Sequence, residues 1–74
     1  MTKEKSKPFM LQPWRWPQNP IWLKRYDENR HFSDSAHLWH KNDRWTFQEE
    51  GQEEQRFGGS ELVGKLLEEG WVVD

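Results

Sequence analysis

Two short runs of β-forming residues, Ala36-His37-Leu38-Trp39-His40 and Trp45-Thr46-Phe47, stand on either side of Lys41-Asn42-Asp43. Asn and Asp tolerate positive φ and hydrogen-bond to their own backbone, so this spacing predicts a tight β-hairpin around which the other aromatics pack. Alternation puts Trp45 and Phe47 on one face of the second arm, with Arg44, Thr46 and Gln48 on the other. On the first arm Leu38 shares a face with Ala36 and His40, and Trp39 shares one with His37. The turn sets the register, so alternation alone leaves open which tryptophan faces which. A competing reading makes 33–40 a helical turn with Ser33 or Ser35 as its N-cap; the hairpin is preferred.

A chain of 74 residues makes one domain at most, and it contains no cysteine, so neither a disulfide nor a thiolate zinc site can staple it. Hydrophobic and charged fractions are equal at 32%, which by aliphatic content alone approaches the disordered regime. Six tryptophans, four phenylalanines and a tyrosine shift the balance towards folding, since each can bury roughly 150–250 Å². A folded domain with an aromatic core is expected. No apolar run is long enough to span a membrane, and the first eight residues lack the apolar stretch of a secretory signal. The expected location is cytoplasmic.

Charge is uneven along the chain. Residues 1–46 carry nine Lys/Arg against five Asp/Glu, and residues 47–74 carry two against eight. Such asymmetry can mark an interaction surface, unless the fold interleaves the halves.

Taken in order, residues 1–8 are polar and lysine-rich and read as a flexible arm, leaving 9–74 as the folded domain. Pro13-Trp-Arg-Trp-Pro-Gln-Asn-Pro20 excludes a helix interior or a central strand and reads as a polyproline-like or turning strap. Either its indoles cap the core, or Trp14 or Trp16 stays exposed with Arg15 beside it. Ile21 to Tyr26 reads as a strand, with Ile21, Leu23 and Arg25 on one face and Trp22, Lys24 and Tyr26 on the other. A turn follows at 27–30. After Phe47 an acidic loop centred on Gly51 leads to a short strand at Gln55-Arg56-Phe57. Ser60 then caps a helix with Glu61 in its first turn, an apolar stripe of Leu62, Val63, Leu66 and Leu67, and Gly70 as its left-handed terminator. Gly64 inside it would allow close approach to the sheet, with an indole as neighbour. Trp71-Val72-Val73 returns as a strand.

The chemistry is sparse. Gly58-Gly59 before a helix lacks any phosphate-loop pattern and reads as a simple helix start. His31, His37 and His40 match no metal spacing, and as strand residues His37 and His40 would face opposite ways. The serines are better explained as turn and cap residues, and the paired glutamates of 49–54 sit in a solvated loop. No metal, cofactor or catalytic residue is assigned, and no enzyme is expected.

The sequence therefore predicts a small α+β domain: an antiparallel sheet of three or four strands, one C-terminal helix packed on it, and an N-terminal Pro/Trp-rich strap. Its expected core is Leu23, Leu38, Trp45, Phe47, Leu62, Val63, Leu66, Leu67 and Trp71. The expected function is a protein-interaction module, an accessory subunit or an inhibitor, that binds a larger protein through exposed aromatics and its acidic C-terminal half. The residues assigned to that surface are Trp14, Arg15, Trp16, Trp22, Arg25 and Tyr26. The alternative is single-stranded nucleic acid bound by the basic, aromatic N-terminal half, where Arg15, Lys24, Arg25 and Arg30 alternate with Trp14, Trp16, Trp22, Tyr26 and Phe32. The sequence pI near 5.9 weighs against it. Self-association is left open.

Overall fold

A computed structural model describes residues 1–26, 29 and 31–74, and for Phe32 the backbone only. Asp27, Glu28 and Arg30, and with them the turn expected at 27–30, lie outside the described residues. The hairpin forms from β2 (Phe32–Lys41) and β3 (Arg44–Glu49). Asn42 and Asp43 have φ of 53° and 61°, and Lys41 pairs with Arg44. This is a two-residue turn with both central residues left-handed, whose twist matches that of the flanking strands. Since β2 runs through 33–40 as a strand, the helical alternative there is excluded. Register sets Leu38 opposite Phe47, His40 opposite Trp45 and Trp39 opposite Thr46. The two tryptophans therefore lie on opposite faces of the sheet.

Three more strands complete an antiparallel sheet, β1 (Ile21–Tyr26), β4 (Gln55–Gly58) and β5 (Val72–Val73), in the order β4-β3-β2-β1-β5. Among the described residues five strands pair where three or four were expected, because every segment read as a strand, the two-residue β5 included, joins the one sheet. Strand β5 pairs along β1 at Leu23 with Val73 and Lys24 with Val72.

Helix α2 (Ser60–Glu68) buries Leu62, Val63, Leu66 and Leu67 against one face of this sheet. Its cap is Gly59 rather than Ser60. Here the Glu61 carboxylate reaches back to accept from the Gly59 N–H at 2.9 Å. That bond, first among the causes, holds the Glu61 carboxyl below its ordinary range. At the other end Gly70 takes φ 96°. Its N–H donates to the Leu67 carbonyl at 3.1 Å, and the Trp71 N–H donates to the Leu66 carbonyl at 3.0 Å. These are the two bonds of a Schellman terminator, and they aim Trp71 back into the core. Gly64 does not approach the sheet: a Cβ there would meet no atom within 4 Å. It borders an open groove shared with Lys3, Glu4, Lys7 and Pro8.

The largest departure from expectation is at the start of the chain. Residues Lys3–Met10 form a helix, α1, where a flexible arm was expected over 1–8. Thr2 caps it by accepting from the Lys5 N–H at 3.3 Å, with Glu4 in the first turn and Lys7 in the last, both suited to the helix dipole. The helix is tied down by polar bonds. The fully buried Ser6 hydroxyl accepts from the Val73 N–H at 2.9 Å, and the Met1 ammonium donates to the Val73 carbonyl at 3.0 Å. Met10 is fully buried, and its carbonyl accepts from the Trp45 Nε1–H at 3.1 Å.

Of the two forms expected for the strap, its start takes the turning one: Pro13–Arg15 is a turn of 3₁₀ helix, and Trp16 returns to extended backbone. Farther along, the Asn19 amide donates to the His40 carbonyl at 2.7 Å and accepts from the His40 N–H at 3.2 Å. A side chain thus continues the ladder beyond the Ile21–Leu38 pair.

All nine expected core residues are buried, joined by Met10, Ile21, Ala36 and Val73. Both helices contribute to this one core, so they cover the same face of the sheet.

Candidate functional site

The other face of the sheet has no covering element among the described residues. Strand alternation and register place Trp22, Lys24 and Tyr26 of β1 there, with His37, Trp39 and Lys41 of β2, Arg44 and Thr46 of β3, and Phe57 of β4. Trp22 is 42% exposed, Tyr26 46% and Phe57 57%; His37 and Trp39 are half-buried. The central rings touch one another. Trp22 and His37 are cross-strand partners with centroids 3.8 Å apart and planes tilted by 49°. The His37 ring lies 5.5 Å from that of Trp39. Thr46 stands between Trp39 and Phe57 in the ladder. The result is a belt of rings running across the sheet from β1 to β4.

Cations flank this belt. The Lys24 ammonium lies 5.4 Å from the centre of the Tyr26 ring and 3.4 Å from the Asp74 carboxylate. The hydrogen bond with Tyr26, and after it Asp74, raises its pKa above the ordinary lysine value. Lys41 and Arg44 flank the hairpin turn and are exposed. No carboxylate occupies a strand position on this face among the described residues. Asp43, Glu50 and Asp74 sit just beyond strand ends, with Glu50 accepting from the Ser35 hydroxyl.

The strand carboxylates alternate to the covered side. Asp34 accepts from Arg25 at 3.0 and 2.7 Å, and Glu49 accepts from the same guanidinium at 3.2 Å. Arg25 also lies 4.6 Å from the Trp71 ring. Arg25, ahead of the Ser33 hydroxyl, holds the Asp34 carboxyl below its ordinary value. Beside them Arg56 and Glu69 form a two-bond pair at 2.8 Å each, which lowers the Glu69 carboxyl and raises the guanidinium. The cleft that these groups line is about 200 Å³ and open. Its two arginines are engaged by carboxylates.

The six residues assigned from sequence fall in three places. Trp22 and Tyr26 meet on the open face. Trp14, 77% exposed, and Arg15, bonded to Gln12 at 3.2 Å, form a separate projection on the strap. Trp16 and Arg25 belong to the scaffold: the Trp16 indole N–H donates to the Phe9 carbonyl at 2.8 Å, and its ring packs on the core. His37, Trp39, Lys41, Arg44 and Phe57 were missed. His37 and Trp39 were legible as sharing a face, but only the register joins that face to Trp22. His40 lies on the covered side, 4.6 Å from the Trp45 ring, so it does not converge with His37.

No protein-family model, curated protein or solved structure matches the chain. Among the described residues, no helix is long and apolar enough to cross a membrane.

Proposed function

We propose that this chain is a non-enzymatic, cytoplasmic binding module whose docking surface is the open face of its sheet, centred on Trp22, His37 and Trp39. One observation carries the reading: a belt of five rings lies on the face opposite both helices, while the sheet's buried aromatics all serve the core. Tryptophan and tyrosine dominate binding hot spots because they offer large rigid area at little entropy cost. The sequence alone favours a larger protein that engages aromatics and acidic half together. Of the acidic half, Glu49 and Glu69 are held by arginines on the covered side, and Asp74 pairs with Lys24 at the edge of the open face, where the aromatics keep company with Lys24, Lys41 and Arg44.

The test compares what the folded protein and two variants retain from an extract of the source cells. Trp22→Ser with Phe57→Ser removes two exposed rings, and its melting temperature is expected to stay within a few degrees. Retention by this pair should fail, while Trp14→Ser should retain what the parent does. Undiminished retention by the face variant, or loss only with Trp14→Ser, would remove the open face as the docking surface.

A further inference from the structure

We infer that the occupant of the open sheet face is single-stranded nucleic acid, its bases stacked on Trp22, Trp39 and Phe57 and its phosphates met by Lys24, Lys41 and Arg44. The inference rests on the reading of that face as the docking surface and adds the chemistry of the partner.

Complementarity of charge and shape selects this occupant. Strand positions on this face hold three cations and, among the described residues, no carboxylate; Lys24 pairs with Asp74 just beyond the end of β5, while Lys41 and Arg44 stand exposed at the hairpin turn. A second copy stacked face to face would set these cations against each other, which is unfavourable. A purely apolar partner would have to bury Lys41 and Arg44 without counter-charges. A single strand supplies both missing elements, since every base has a π-face and every link carries a negative charge. Trp22 and Tyr26 are four residues apart on one strand, about 13 Å, so each ring can serve a different base. Thr46 lies between Trp39 and Phe57 in the ladder, and Gln48 and Gln55 continue the row of Trp22 and His37 towards the sheet edge. The belt crosses the strands, and Lys41 and Arg44 mark one end of the sheet, so the backbone would run diagonally from Lys24 toward the hairpin turn.

The overall charge of −2 opposes long-range attraction of a polyanion. Binding should therefore depend on stacking more than on counterion release. With three cations in contact, the slope of log affinity against log salt should be no steeper than about −2.

The experiment titrates the protein with short oligothymidine, oligouridine and poly-glutamate at low salt, following tryptophan fluorescence. Both oligonucleotides should quench the emission and poly-glutamate should not; a preference between the two would distinguish DNA from RNA as the source. Trp22→Ala should weaken binding about tenfold or more. Lys41→Ala with Arg44→Ala should flatten the salt slope to about −0.7. Two results overturn the inference alone. Equal binding of poly-glutamate would make the occupant an acidic protein segment, and silence of both oligonucleotides against a folded protein would remove nucleic acid. In either case face-dependent retention from extract would still support the docking surface. Oligonucleotide binding that survives Trp22→Ala but fails in Trp14→Ala would overturn both readings.

Discussion

Trp71→Ala is expected to lower the melting temperature by more than about 10 °C. Trp71 is 1% exposed and packs edge-on against Phe47, with ring centroids 5.2 Å apart. The Arg25 guanidinium lies over the Trp71 ring at 4.6 Å, and the Trp71 backbone N–H closes the α2 terminator. Truncating a buried tryptophan costs about 3–5 kcal/mol through lost transfer energy and the cavity left behind. A chain of 74 residues has on the order of 4–11 kcal/mol in total. The loss falls at a hub: Phe47 and Arg25 both lose the ring they pack on, while the backbone bond that closes α2 stays. Arg25 would keep its carboxylates but lose the ring that shields the ion pairs. Thermal or urea unfolding checks this. A melting temperature lowered by less than about 10 °C would place Trp71 outside the core, given about 4–8 °C per kcal/mol in domains of this size.

Met10→Ala should cost about 2–5 kcal/mol, the second largest effect. The side chain is fully buried among residues of both sheet and helix; the backbone carbonyl of Met10, which holds the Trp45 indole, is kept in the variant. Ser6→Ala, four residues earlier, should cost about 1–3 kcal/mol, because the Val73 N–H would be left buried without an acceptor. Together the two variants test whether α1 is part of the fold. Urea midpoints close to the parent's for both would restore the flexible arm.

The contrast between α1 and the hairpin is one of local signal. The hairpin was legible because Asn42-Asp43 is such a signal: two residues that accept positive φ fix the turn and, through it, the register. The stripe of α2 and its C-terminal end were legible for the same reason, in the spacing of Leu62, Val63, Leu66 and Leu67 and in Gly70, while its N-cap fell one residue before the expected Ser60. Helix α1 has no such stripe. Of its eight residues only Ser6 and Met10 are buried, and it is held by a hydroxyl and an ammonium that no hydropathy pattern records. The candidate site was half legible for a different reason. Arg25 is a neighbour of Tyr26 in sequence, but it lies on the opposite side of the strand, where Asp34, Glu49 and Trp71 take it up. Phe57 and Trp39 are far apart in sequence and reach one face only through the pairing of β2, β3 and β4. Which face stays open depends on where both helices pack, and half of that information lay in the unforeseen α1.

On the proposed reading, the open face and not the strap carries binding. The sharpest check follows the six indole N–H signals in a ¹⁵N-correlated spectrum while oligothymidine is added at low salt. The signals of Trp22 and Trp39 should move and saturate together, while those of Trp16, Trp45 and Trp71, fixed in the scaffold, should stay in place. A response confined to Trp14, or no response from any indole, would contradict the open face as the binding surface.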